Sequence, residues 1–256
     1  MLDLAQRQKE YEGNTDSFLM NRVPIIIRVD GKGFTKLTSN LPKPCYDFNH
    51  VMANTMLYVI KEMQGAVFGY CQSDEITFVL KNDQSLETQP WFQNRVQKIV
   101  SVSSALATKG FEKSIQTLDK SINLIGDAVF DARVFAVPSI VEAANNIIWR
   151  QKDCYKNAVS MAAQSKFSHN ALQTKNTTER KKFLLDKYSI DFDDYYEPSF
   201  RKGVAVYRVP TVVKDDVVRN KWTLNFDLPF FVDDQDFLYN ILINGLDIFR
   251  TPSEII

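Results

Sequence analysis

The chain has 256 residues, 45% hydrophobic and 24% charged, the balance of a globular protein able to bury a substantial core in one domain. Lys plus Arg equals Asp plus Glu, 31 of each, so binding of a polyanion would have to come from local patches rather than from net charge. Three scattered cysteines without a C-x-x-C pair argue against a disulfide framework and a structural zinc site, and two histidines leave almost no material for a His-built metal site or a Ser-His-Asp triad.

No apolar run approaches the roughly 20 residues that cross a bilayer. The opening MLDLAQRQKEYEGNTD has neither a signal-peptide core nor an Arg/Ser-rich transit character, so the expectation is a cytoplasmic protein without a membrane partner. Residues 1 to 22 read as a short helix and a lead-in. From Val23 a β-branched run reads as a buried strand that ends at Asp30. The loop Gly31-Lys32-Gly33-Phe34-Thr35 follows, in which two glycines around a lysine let backbone N–H groups and an ammonium approach a phosphate; a plain flexible turn is the commoner use of such a loop.

Phe48, Met52, Met56, Val59 and Met63 recur at helical spacing over Tyr46 to Met63, an amphipathic helix with one core face. Ala66 to Gln72 and Ile76 to Leu80 form a hairpin with Ser73-Asp74-Glu75 at its tip. A second helix is predicted over Trp91 to Thr108, where Arg95 and Lys98 share a face that reads most simply as solvated. Asp127 to Val137 is another strand. The order strand, helix, hairpin, helix, strand is the ferredoxin-like βαββαβ unit, an α+β fold with two helices on one face of an antiparallel sheet. That topology sets the end of the first strand beside the hairpin tip, so Asp30 and Asp74 converge. Paired carboxylates repel unless a cation lies between them, which asks for a hard divalent ion such as Mg²⁺. Solvated turn residues are the competing reading.

Pro138 breaks the strand, and a long helix runs from about Ser139 to Phe167 with Arg150, Asp153 and Asn157 in a polar stripe. Asn176-Thr177-Thr178-Glu179 is a capping-type helix start. Arg201-Lys202-Gly203 opens a strand, Val204 to Val209, which pairs with Lys221 to Phe226 across a charged turn. The last thirty residues read as a C-terminal appendage. Two parts follow: a palm-like catalytic part with its lead-in over residues 1–138, and a helical and hairpin extension packing on it over residues 139–256.

Five stretches in order, RVDGKGF, YCQSDEITF, FDARVF, WRQKDCYKN and RKG, resemble the tRNA-His guanylyltransferase family of 3′-to-5′ nucleotide polymerases, over roughly Val23 to Arg208. The resemblance implies a polymerase-type palm, two Mg²⁺ ions per site, ATP and GTP as substrates, tRNA as partner and assembly as a homotetramer. By motif position Asp30, the Gly31 carbonyl and Asp74 would hold metal, with Glu75 supporting. Asp30 to Thr35 and Ser73-Asp74 would line the nucleotide, and Arg95, Lys98, Ser101, Arg133 and Asn157 would hold triphosphate. Arg150, Lys175, Arg201 and Lys202 would contact RNA.

One departure bears on substrate. Members dedicated to tRNA-His carry His-Ile-Asn-Asn-Leu-Tyr-Asn where this chain has Tyr155 to Met161, keeping only Asn157. It looks like the guanylyltransferase-like branch, which repairs 5′-truncated tRNA by templated addition after activation of the 5′ end with ATP or from a 5′-triphosphate. Addition of G at position −1 of tRNA-His, a nucleotidyl cyclase on the same palm, and a non-catalytic nucleotide- or RNA-binding module are the alternatives.

Overall fold

The structure, a computed structural model, describes residues 2–117, 122–212 and 218–247. Helix α1 (Leu4–Gly13) starts on an Asp3 capping box and precedes strand β1 (Ile25–Gly31), the short helix α2 (Phe34–Leu37) and helix α3 (Tyr46–Ile60). The hairpin β2 (Ala66–Gln72) and β3 (Glu75–Leu80) leads to helix α4 (Val96–Gln116) and strand β4 (Phe130–Ala136). Helices α5 (Ile140–Gln164), α6 (His169–Leu172), α7 (Thr177–Tyr188), α8 (Phe192–Tyr195) and α9 (Pro198–Lys202) follow. Strands β5 (Val204–Val212) and β6 (Val218–Asn225) and helix α10 (Gln235–Asn244) complete the described chain.

All six strands join one antiparallel sheet in the order β4-β1-β3-β2-β5-β6. The first four are the βαββαβ unit, and the β5–β6 hairpin extends it from β2. Its turn, residues 213–217, lies outside the described residues, as does the end of the tail beyond residue 247. Strand β1 is buried on both sides, which explains its unbroken Ile25-Ile26-Ile27 run. Ile25, Ile27 and Val29 pack with Met52, Met56 and Phe111 under α3 and α4, while Ile26 packs with Ala143, Ile147, Leu238 and Ile241 under α5 and α10. Helices therefore cover both faces, where the sequence placed two on one face.

Helix α10 corrects the reading of the last thirty residues as an appendage. Leu238, Ile241 and Leu242 are fully buried, and Lys81 Nζ donates to the Ile243 carbonyl at 2.8 Å. The helix expected at Trp91 also begins later. Phe92, Gln93 and Asn94 make a left-handed turn with φ of 47°, 53° and 61°, and the buried Asn94 amide donates to the Met20 carbonyl (3.2 Å) and Asn21 Oδ1 (2.8 Å). Those hydrogen bonds tie the turn to the N-terminal segment, and α4 then starts at Val96 and runs eight residues past Thr108.

A third apolar cluster joins the second half of α5 to α7, α8 and α9 through Val159, Leu184, Phe192 and Phe200. A polar clamp borders it: Asp193 accepts from Tyr155 Oη (2.9 Å) and pairs with Lys181 and Arg201. Burial pushes the Asp193 carboxyl up, but the hydrogen bonds from Lys181 and Tyr155 and the charges of Lys181 and Arg201 together outweigh it and hold it below its usual 3.8. A lowered folded pKa contributes stability that is complete above the unfolded value and is lost as pH falls through the folded one. Asp193→Asn is therefore expected to cost stability at neutral pH and to shrink the acid loss of melting temperature between neutral pH and about pH 3; equal acid slopes in the two proteins would remove the clamp from the account. Among the described residues no helix is long and apolar enough to cross a membrane.

Candidate active site

The site is built where β1 and the β2–β3 hairpin end together. Asp30 stands opposite Glu75 on β3 and Asp131 on β4, and the Gly31 N–H donates to the Asp74 carbonyl at 3.1 Å, which locks the two acidic tips side by side. Ser73 takes a left-handed conformation (φ 49°) at the turn. Gly31 is required by close approach, since a Cβ there would sit 2.3 Å from the Phe34 ring. Gly31→Ala is expected to cost about 1–3 kcal/mol by overpacking, readable by urea unfolding; an unchanged midpoint would mean that the ring swings away freely.

Asp30, Ser73, Asp74 and Glu75 line a cavity of about 430 Å³, whose other walls include Lys43, Phe48 and Asn49 before and in α3, Arg150, Asn157 and Met161 of α5, and Ser199 and Phe200 of α9. Burial, then the charges of Asp74, Glu75 and Asp131, raise the Asp30 carboxyl, with Arg133 opposing them. Burial also raises Asp74, against hydrogen bonds from its own N–H and from Ser73. Among the described residues neither carboxylate has a Lys or Arg partner within salt-bridge distance. Among the described residues no three His, Cys, Asp or Glu side chains converge as a closed metal cage. Two carboxylates without a basic salt-bridge partner among the described residues, at the wall of an open cavity, offer oxygen ligands of the kind that suits a hard cation keeping part of its water shell.

Glu75 is held differently. Its two oxygens accept from Arg150 Nε (2.6 Å) and Nη2 (2.7 Å), with Arg28 at 3.9 Å. Arg150 also reaches Asp153 at 3.1 Å, and Asn157 donates to Asp153 at 3.3 Å, so the stripe on α5 is one connected network.

Of the residues singled out from sequence, Asp30, Ser73, Asp74, Glu75 and Asn157 meet at the cavity, with Gly31 at the strand end and Arg133 within electrostatic reach of Asp30. Lys32, Gly33 and Thr35 are exposed beside them, but Phe34 is core, 3% exposed among Phe48, Phe111 and Phe130, and does not line the site. Arg95, Lys98 and Ser101 are not brought there within one chain. Strand β3 runs away from the tip, so α4 begins at the far end of the sheet and returns; Phe111, which does touch Phe34 and Phe130, lies roughly 24 Å further along the helix from Arg95 at 1.5 Å per residue. Arg95 pairs with Asp16 at 2.8 Å, Lys98 lies over Phe92, and the Ser101 hydroxyl donates to the Lys98 carbonyl.

The expected RNA contacts also turn inward. Arg150 is 7% exposed and engaged as above. Arg201 Nε donates to the Tyr196 carbonyl, Lys202 lies 3.7 Å from Asp227 and over Phe230, and Lys175 lies 4.2 Å from the Phe183 ring centroid. Thr38, Lys43, Asn49, Gln72 and Ser199 are polar residues of the cavity wall that the sequence reading did not single out; for Lys43 the Pro42-Lys43-Pro44 run, in which two prolines flank a lysine, was the available signal.

The family described as Thg1, tRNAHis guanylyltransferase, matches residues 5–138. A solved bacterial Thg1-like protein in complex with ATP superposes with a TM-score of 0.83 at 30% identity, covering 94% of this chain and 99% of the other. A bacterial Thg1-like protein in complex with GTP gives 0.78 at 29%, covering 93% and 98%. The tRNA(His) guanylyltransferase of Debaryomyces hansenii is 26% identical over 227 residues, 80% of this chain and 82% of that one. The palm-type sheet, the acidic pair at its lip and these likenesses together make the chain a nucleotidyltransferase of the tRNAHis guanylyltransferase (Thg1) family.

Proposed function

We propose that the chain adds nucleotides in the 3′-to-5′ direction to the 5′ end of truncated tRNA, directed by the opposite strand. The observation that carries this choice within the family is at Tyr155, where members dedicated to tRNA-His resemble one another in having His. Here the side chain is a phenol whose hydroxyl is bound into the Asp193–Lys181 clamp, away from the residues lining the 430 Å³ cavity. The hydroxyl's engagement with Asp193 and Lys181 supports a reading in which this position serves the scaffold.

Asp30, Asp74 and the Gly31 carbonyl would hold Mg²⁺, which when bound lowers the pKa of the attacking hydroxyl and offsets charge on the leaving phosphates. The chain's own work is positional. The cavity takes the nucleotide, with Phe48, Met161 and Phe200 as apolar walls and Asn49, Asn157 and Ser199 as polar ones. Lys43 at its wall and Arg133 near Asp30 supply positive charge for the phosphates. Arg95, Lys98 and Ser101 stand too far from Asp30 to serve the same nucleotide in one chain, so a phosphate role for them rests on the assembly of several copies.

The test is incubation with a 5′-truncated tRNA, Mg²⁺, ATP and all four NTPs, beside an intact tRNA-His lacking its extra G. Extension whose sequence follows the opposite strand supports templated repair. Addition of a single G to tRNA-His with no extension of the truncated substrate would replace it by the guanylyltransferase reading, and a cyclic nucleotide made without RNA would replace both.

A further inference from the structure

The outward surface of α5 carries a tryptophan that the fold does not use. Trp149 is 54% exposed, although Trp91 is 7% exposed in the core. The indole is nevertheless held in place: the Arg150 guanidinium lies 4.5 Å and that of Arg28 6.0 Å from its ring centroid. Arg150 is itself fixed to Glu75 at the acidic tip, and Arg28 shares one face of β1 with Asp30, so the ring is fastened to the lip of the active site.

Lys152 and Lys156 follow at i+3 and i+7 on the same side of α5. Both are exposed, and neither has a salt bridge among the described residues. They border a hollow of about 250 Å³ walled by Ile148, Tyr155, Phe230 and Val232. On β4, directly across from Arg28, Arg133 is also more than half exposed. An aromatic plate backed by guanidinium, two unpaired ammonium groups within about 10.5 Å along the helix and an apolar slot between them match the chemistry of unpaired bases on a phosphodiester backbone. Base–aromatic stacking with cations tracking the phosphates is how single strands are held without sequence preference.

We propose that this face of α5 holds an unpaired segment of the RNA substrate, one base stacked on Trp149 and the adjoining phosphates on Lys152 and Lys156, which delivers the templating strand to the acidic tip. The assignment of RNA rests on the function proposed above; the stacking surface rests on the geometry alone.

Titration of the full-length protein with a short single-stranded oligoribonucleotide, followed by tryptophan fluorescence and by anisotropy of a labelled strand, tests it. Wild-type protein is expected to show quenching. Trp149→Ala is expected to lose the quenching and to bind about 5- to 150-fold more weakly, with Trp149→Phe close to wild type. Lys152→Glu with Lys156→Glu is expected to weaken binding and to lower the slope of log affinity against log salt by about 1.4. ATP affinity and melting temperature are expected to be unchanged in all of them. Equal oligoribonucleotide affinity in Trp149→Ala and wild type overturns the proposal. So does a change in sedimentation of Trp149→Ala without a change in strand binding, which would make the face a protein contact. Wild-type protein that binds the strand but extends no tRNA would instead remove the proposed reaction and leave the surface standing.

Discussion

Replacing Asp74 by Asn is expected to slow nucleotide addition by about 10³-fold or more and, in the absence of divalent cations, to raise the melting temperature. The rate loss follows from the several kcal/mol that a metal-bound charge contributes at a transferring phosphoryl group, at about 1.4 kcal/mol per tenfold. The gain in stability follows from the same carboxylate's position. Burial raises its pKa above the usual 3.8, so the folded chain binds this proton more tightly than the unfolded chain. Stability from that proton is present below the unfolded pKa and falls as pH rises through the folded one, because burial disfavours the charged form. Asn has the same shape and no charge to bury. Asp30→Asn is expected to behave alike, because burial and then the Asp74, Glu75 and Asp131 charges raise that group too. Melting curves with EDTA and with Mg²⁺ separate the effects: Mg²⁺ should stabilise wild type and not the variants. A variant that is active, or one less stable than wild type in EDTA, would contradict the cation assignment.

The meeting of Asp30 and Asp74 was legible because both signals were local and topology joined them. A β-branched run stopping at Asp-Gly and an apolar hairpin turning at Ser-Asp-Glu each mark a strand end, and the βαββαβ order admits one neighbouring arrangement for them. Arg95 and Lys98 show where that reasoning stops. Helical spacing put the two on one face, yet Arg95 is the extended N-cap of α4 and pairs with Asp16 while Lys98 lies over Phe92; which end of the sheet a helix starts from depends on the direction of the strand before it, and a spacing argument does not carry direction. The left-handed turn at Phe92 to Asn94 was hidden for a related reason: its stabilising hydrogen bonds go to Met20 and Asn21, some seventy residues away. Helix α10 was obscured by its own start, since Asp233-Asp234-Gln235-Asp236 reads as a solvated run although Asp234 is the N-cap, accepting from the Phe237 N–H at 3.1 Å, and Leu238, Ile241 and Leu242 carry the buried face.

Arg150 is the position whose loss is expected to unfold the site rather than silence it. Its side chain is 9% exposed and that of Glu75 13%, and the two are joined by a bidentate pair at 2.6 and 2.7 Å. Arg150→Met is expected to cost about 3 kcal/mol in urea unfolding, because it removes the bidentate partner of a largely buried carboxylate and leaves it only Arg28 at 3.9 Å. The released charge would also face Asp30 and Asp74, both of which already feel Glu75, so activity should fall further than the folded fraction does. Arg150→Lys keeps the charge but not the fork, and should lie between. Adding Glu75→Gln to Arg150→Met should recover part of the stability, since an amide is cheaper to bury than a carboxylate; in a double-mutant cycle the coupling should be among the largest in the chain. A loss below about 1 kcal/mol for Arg150→Met would place the pair in the class of solvent-screened surface bridges. That result would make the α5 stripe what helical spacing first implies, a solvated face, and would remove the rigid link between Trp149 and the acidic tip.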